Sequence, residues 1–195
     1  MSNRSVTKVL AAVCVLAAVG GCSGVRVNVV EGTRPSGPFR VGVLDFKAST
    51  DPVETLLGAR EVNQIENAGP IVADAVSVAL VDVDQLHVVE GRQLTQVMTE
   101  LKLTPENVLT PENLKKLGQA TGIDGVVVGY VTDFHWWQVA LCSGSELAFS
   151  VRMVSTETGQ VLWSASVARS GRVSHTTLLF DACAALADKL ESALD

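Results

Sequence analysis

The sequence predicts an α/β fold, a three-layer sandwich in which helices flank a mixed β-sheet, preceded by an N-terminal lipoprotein signal. Two observations support this prediction. Apolar residues recur with strand spacing and helical spacing in turn through the first half of the chain. Strand-like segments then follow one another across short turns in the second half. Alternation favours parallel strands with crossover helices and hairpins favour antiparallel strands, so the sheet is expected to be mixed.

Residues 1–21 are predicted to be a signal peptide. Arg4 and Lys8 precede an uncharged run, residues 9–19, that is too short for a permanent spanning helix. Two glycines then lead into Cys22, and this pattern resembles a lipoprotein signal sequence. The resemblance implies cleavage before Cys22 and acylation of its thiol, and two or more acyl chains anchor a protein firmly. The alternatives are a secretory signal with an incidental cysteine, or an uncleaved anchor helix.

The composition of the mature chain excludes one class of partner. Removing 21 of the 195 residues leaves 174, which suits one domain with a full core. Those 174 residues include 13 basic and 21 acidic side chains, a net charge of −8. No window forms the basic stripe that would neutralise phosphates, so nucleic acid is not expected as a partner.

A tether is predicted over residues 22–39, and the α/β domain over residues 40–195. The tether is rich in glycine and proline, and its alternating Val25, Val27 and Val29 suggest a short edge strand. A dense apolar run from Arg40 to Phe46 predicts a buried strand. The polar stretch 47–66 is expected to be a long loop.

Three helices and a short strand are predicted next. The first helix starts near Asn67 and Pro70, and Leu86–Glu90 forms the strand. Thr110 is expected to cap the third helix and Gly122 to end it. The predicted inward-facing positions of the three helices are Ile71, Ala75, Val78 and Ala79; Leu94, Val97, Met98 and Leu101; and Leu114, Leu117 and Ala120.

Strands dominate the second half. A long strand is predicted from Asp124 to Trp137, with a turn at 142–145 and a second turn at 157–159. Alternating apolar residues predict a further strand after the second turn, and this strand extends to Val167. The C-terminal helix carries an apolar stripe formed by Leu179, Cys183, Leu186, Leu190 and Leu194.

No catalytic or metal-binding motif is present, so the protein is not expected to be an enzyme or to hold a cofactor or metal. The three histidines lie in separate elements and lack zinc-ligand spacing. Asp45, at the end of the first apolar strand, is interpreted as a strand-end residue rather than a catalytic acid.

Trp136 and Trp137 form the most conspicuous aromatic cluster. Neighbouring side chains on a strand point to opposite faces, so one indole is available for an interface, where aromatic residues are enriched. The alternative is that both are buried.

Two cysteines, Cys142 and Cys183, lie outside the predicted signal and the predicted acylation site at Cys22. They form either a disulfide, which an extracytoplasmic compartment permits, or two separate thiols.

Four segments carry a family resemblance. Arg40–Phe46 resembles an opening strand of the type RVAVLPF, with Asp45 where proline is common, and Val88–Leu94 resembles a VVERsqL junction with Gly91 inserted. Leu117–Gly129 resembles the block lG…gad.vvvGsv, and Val151–Trp163 resembles VRlvdveTGevlws. This order and spacing resembles the CsgG/HfaB-like lipoproteins of curli and holdfast assembly, a superfamily also similar to LpoB and PelC. The resemblance implies a periplasmic α/β domain that often assembles into rings, and it does not imply an enzyme.

The resulting functional hypothesis is a lipoprotein on the periplasmic side of the outer membrane that acts as an assembly or secretion accessory. Its expected partners are the outer membrane, through the lipid anchor, and either further copies of itself or an envelope protein. The alternative is an LpoB-like activator of a peptidoglycan synthase. An eighteen-residue tether averages only about 20–25 Å, which favours a partner close to the membrane. A small-ligand or metal sensor has no motif in its favour.

Overall fold

The computed structural model describes residues 24–30, 38–50, 61–139 and 142–195. Within them, eight strands form one sheet: β1 (Gly24–Val29), β2 (Phe39–Val43), β3 (Lys47–Ala48), β4 (Glu61–Gln64), β5 (Leu86–Val89), β6 (Gly125–Val139), β7 (Cys142–Ser155) and β8 (Val161–Gly171). The main strand order is β1-β8-β7-β6-β2-β5. β2 is parallel to both of its neighbours, whereas β1, β8, β7 and β6 pair antiparallel, so the sheet is mixed as predicted.

Four helices are described: α1 (Ala68–Leu80), α2 (Gly91–Glu100), α3 (Pro111–Thr121) and α4 (His175–Leu194). α1 and α4 pack on one face of the sheet over the larger core, in which Trp163 is fully buried. α2 and α3 cover part of the other face, where Leu94, Leu114 and Leu117 form a second core. Helices therefore lie on both sides of the sheet, and the predicted α/β sandwich is confirmed.

Two predicted loops contain strand residues. The stretch 47–66 includes β3 and β4, which pair with β6 where β2 has ended. The predicted turn at 142–145 is wrong, because these residues are the first part of β7 and pair with β6. A side chain at Gly144 would lie 2.8 Å from the Trp137 ring and 2.5 Å from the Gly171 carbonyl oxygen. The glycine that suggested a turn is instead required for close packing inside the sheet.

The predicted stripe of α1 is partly wrong. Ile71 is 39% and Val78 is 65% exposed, whereas Val72 and Val76 are fully buried. Apolar residues surround most of this helix, so spacing alone did not identify its inner face. In α3, Leu114 and Leu117 are buried as predicted, but Ala120 is exposed and Thr121 is the buried residue of its last turn.

The boundaries of α3 agree with the prediction. Pro111 occupies its first turn, and Gly122, at φ 69°, ends it in the left-handed conformation. Thr110 is the N-cap residue, but its hydroxyl donates to the carbonyl oxygen of Asn107 instead of accepting from the helix. The stripe of the C-terminal helix is confirmed, since all five of its predicted residues are buried in α4.

Candidate functional site

The long β6–β7 hairpin carries the two tryptophans. A bulge between Val131 and Asp133 precedes them, and the pairing then continues to Val139 opposite Cys142. Trp136 lies opposite Ser145 and Trp137 opposite Gly144, and β4 pairs with β6 along the other side. Both indoles are half-buried, and neither belongs to either hydrophobic core. The structure thus leaves part of both rings accessible at the end of the hairpin.

A buried histidine lies beside the tryptophans. His135 is only 2% exposed, and its Nε2 atom lies 3.6 Å from Glu146 Oε2 on the paired strand. Neither ring nitrogen forms a hydrogen bond within the described residues. The Ser145 hydroxyl donates to the carbonyl oxygen of Val173, 3.0 Å away, and this bond joins the hairpin to the segment before α4.

The pairing register shows where the end of the hairpin lies relative to Gly24, the first residue of β1. Gly24 pairs with Ala168, which in turn pairs with Ala148. From Ala148 the hairpin continues six residues to Cys142, or about 20 Å at the usual strand rise. β1 and β8 are antiparallel, so Gly24, the first residue of β1, lies at the same end of the sheet as the hairpin end.

The second feature is a groove on the sheet face opposite α4, beside the part covered by α2 and α3. Its volume is about 610 Å³. Two cross-strand rows of side chains form its floor, and each row takes one residue from β6, β7, β8 and β1 in turn. The rows are Tyr130–Ser150–Ser166–Arg26 and Val128–Arg152–Ser164–Asn28.

Charges are distributed unevenly in the groove. Arg26 and Arg152 are exposed, and neither side chain forms an ion pair or hydrogen bond within the described residues. Lys47 and Glu106 line the opposite wall. A hydrogen bond from Thr104 lowers the pKa of the Glu106 carboxyl, with smaller contributions from its own backbone and from Lys47. The wall therefore carries one cation, Lys47, and two carboxylates, Asp45 and Glu106, whereas the floor carries two cations without a side-chain partner.

The two cysteines lie on different elements. Cys142 begins β7 at the end of the hairpin, and Cys183 is buried in α4 beneath the sheet. No disulfide joins them in the structure. Cys183 belongs to the larger core, and its burial raises the pKa of the thiol from its usual 9.0 to about 12.

The remaining site predictions concern the lipidation of Cys22, metal binding and Asp45. Cys22 lies outside the described residues, so its acylation remains a prediction. Across the described ranges, no group of three or more His, Cys, Asp or Glu side chains is arranged to hold a metal ion. Asp45 is exposed and lines the groove near Lys47. No described helix is both long enough and apolar enough to cross a bilayer.

Sequence reasoning did not identify the groove. Arg26 and Arg152 each stand between apolar residues of an alternating strand, which predicts that they face away from the α4 side. The pairing register is what aligns them with Tyr130 across four strands, and the sequence does not specify that register.

Comparison with known proteins gives a family match and several similar folds. The model of the family described as "Curli production assembly/transport component CsgG" matches residues 25–179. No curated protein matches the chain. The PelC L103M dodecamer from Paraburkholderia phytofirmans is 13% identical, with a TM-score of 0.57 and coverage of 87% of this chain and 98% of that chain.

Two further structures are similar. Lipoprotein GNA1162 from Neisseria meningitidis is 18% identical, with a TM-score of 0.54 and coverage of 80% of this chain and 99% of that chain. The LpoB C-terminal domain from Escherichia coli is 15% identical, with a TM-score of 0.48 and coverage of 81% and 93%. At these identities the likenesses to PelC and GNA1162 establish a shared fold, and the LpoB likeness is weaker.

Proposed function

Since the chain belongs to the family of the curli production assembly/transport component CsgG, we propose that it is a non-enzymatic accessory lipoprotein of the bacterial envelope. It is held on the periplasmic side of the outer membrane by acylated Cys22 and serves the assembly or export of a surface polymer. The family match over residues 25–179 carries this proposal. The similarity of the fold to PelC, a dodecamer, supports self-association as part of the role.

The distance between the anchor and the sheet favours a role close to the membrane. Only Ser23 separates Cys22 from Gly24, the first residue of β1. Consecutive Cα atoms are 3.8 Å apart, so a chain of two peptide units, at most about 8 Å long, connects Gly24 to the proposed anchor residue. An acylated Cys22 then keeps the sheet beside the bilayer. This geometry disfavours the alternative, an activator that reaches a peptidoglycan synthase across the periplasm.

The end of the β6–β7 hairpin is the proposed contact with a second subunit or an envelope protein. Trp136 and Trp137 are half-buried there, and Gly24, the first residue of β1, lies at the same end of the sheet. Indole rings combine a large apolar surface with a polar N–H, which is why tryptophan is enriched in protein interfaces.

The anchor is tested by replacing Cys22 with serine and fractionating cells. The variant is expected in the soluble periplasmic fraction, because the acylated thiol is removed. A serine variant that stays with membranes after a high-salt wash would refute the anchor.

The contact is tested by replacing Trp136 and Trp137 singly with alanine and measuring oligomer mass by light scattering. At least one variant is expected to lose mass at an unchanged melting temperature. Phe180→Ala is a matched control, because Phe180 is 55% exposed on α4 and lies outside the hairpin. Loss of stability without loss of mass in both variants would make the two indoles purely structural.

The role itself is tested by deleting the gene and measuring surface polymer and peptidoglycan cross-linking in the same cells. Loss of surface polymer with unchanged cross-linking is the expected result. Reduced cross-linking with normal surface polymer would favour the peptidoglycan synthase activator instead.

A further inference from the structure

We propose that the groove on the sheet face opposite α4 binds an acidic polysaccharide, with Arg26 and Arg152 pairing with its carboxylates. This inference deepens the proposed function by naming the chemistry of the polymer, and it rests on that function only for the source of the ligand. The binding site itself is argued from the groove.

The two arginines are spaced to engage separate carboxylates of one chain. Arg26 lies opposite Ser166, and Arg152 lies opposite Ser164 on the same central strand. Two strand spacings and two residues of rise separate the arginines, so their Cα atoms are about 12 Å apart. Guanidinium groups bind carboxylates in bidentate geometry, and these two have no protein partner within the described residues.

The rest of the floor suits a polyhydroxylated ligand. Ser150, Ser164 and Ser166 present hydroxyl groups that both donate and accept hydrogen bonds. Tyr130, 42% exposed at the end of the first row, offers an aromatic face for the apolar side of a sugar ring. A groove of about 610 Å³ that is open to solvent accommodates a segment of an extended chain.

The same composition disfavours a protein occupant. Protein interfaces are depleted in serine and bury large apolar side chains at their centre. Here serines occupy the centre, and Tyr130 is the one large hydrophobic residue of the groove that is exposed among the described residues. Charge complementarity points to an anion, because the groove carries three cations and two carboxylates whereas residues 22–195 as a whole have a net charge of −8, and the two cations of the floor have no side-chain partner.

The test measures binding of hexagalacturonate to the full-length protein in detergent by isothermal titration calorimetry. Maltohexaose supplies an uncharged sugar of the same length, and hexaglutamate supplies an acidic peptide. Arg26→Gln, Arg152→Gln and Tyr130→Ala are compared with Lys115→Gln, which removes one positive charge from an exposed position on α3 outside the groove. Melting temperature and oligomer mass are measured for every variant.

The expected result is binding of hexagalacturonate that weakens roughly tenfold in each arginine variant and weakens with added salt. Lys115→Gln is expected to bind like the unaltered protein, and maltohexaose is expected not to bind. Absence of hexagalacturonate binding, or binding that the arginine variants leave unchanged, would overturn the proposal. Equal, arginine-dependent binding of hexaglutamate would assign the groove to acidic peptides, and loss of oligomer mass in the arginine variants would assign it to a subunit contact. None of these outcomes bears on the Cys22 anchor, which the fractionation experiment tests separately.

Discussion

Replacing Gly129 with alanine is expected to destabilise the protein through one defined contact. A Cβ atom at this position would lie 2.5 Å from two carbons of the Phe46 ring. Ordinary carbon contacts are about 3.5–4.0 Å, so the ring must move by about 1 Å. It has little room, because Phe46 is 4% exposed and packs against Phe149 with the ring centroids 6.5 Å apart.

The magnitude follows from two opposing effects. Overpacking a core costs about 1–3 kcal/mol, whereas alanine is favoured over glycine in a strand by about 0.5–1 kcal/mol. The net expected loss is about 1–2 kcal/mol. For a chain of this length, that corresponds to a fall in melting temperature of about 2–8 °C.

A double-mutant cycle isolates the contact. Phe46→Leu alone is expected to cost about 1–2 kcal/mol because it shortens a buried side chain. In the double variant the smaller leucine makes room for the new Cβ atom, so the combined loss should be at least about 1 kcal/mol less than the sum. Urea denaturation of all variants in a Cys22→Ser background measures these free energies of unfolding.

The matched control is Gly24→Ala, at a strand position where a Cβ atom would meet no atom within 4 Å. This variant is expected to be neutral or slightly stabilising. A stable Gly129→Ala variant, or single-variant losses that simply add in the double variant, would refute the assignment of Gly129 to the Phe46 contact.

Two further predictions concern pH and helix capping. The folded protein holds the Cys183 proton more tightly than the unfolded chain does, so stability is unaffected below pH 9 and falls as the pH rises from 9 toward 12. The contribution lost by pH 11 is about 3 kcal/mol, and it should disappear from the pH dependence of unfolding in Cys183→Ala; identical profiles above pH 9 would contradict the prediction. The Ser174 hydroxyl accepts a hydrogen bond from the Thr177 amide at the start of α4, so Ser174→Ala is expected to cost about 1 kcal/mol in urea denaturation. Thr110→Ala should cost less, because Thr110 makes no such bond to α3; equal losses would contradict this account.

The glycines in the family-like segments have individual packing reasons. A Cβ atom at Gly118 would lie 2.7 Å from Thr156, whose buried hydroxyl donates to the Ile123 carbonyl oxygen at 2.8 Å. Gly118 therefore allows α3 to approach the turn after β7. Gly129 makes room for Phe46 in the same way. The sequence resemblance and the close packing thus coincide at these positions.

The sequence alone determined the fold class, the family and most element boundaries, because those depend on local patterns. Periodicity indicated the inner face of α4, and Pro111 with Gly122 marked the ends of α3. Where a helix is apolar on most sides, as α1 is, periodicity does not identify the inner face, and tertiary packing alone decides which residues are buried.

Only the tertiary structure decided how distant residues are brought together. The extent of the β6–β7 hairpin depends on pairing with β4 and β8 and on the close fit of Trp137 over Gly144, and local composition had suggested a turn there. The groove likewise exists because strand register aligns Arg26, Arg152 and Tyr130 on one face of the sheet. Register is set by long-range hydrogen bonds and by the packing of the opposite face, and a shift of one residue would turn these side chains into the core.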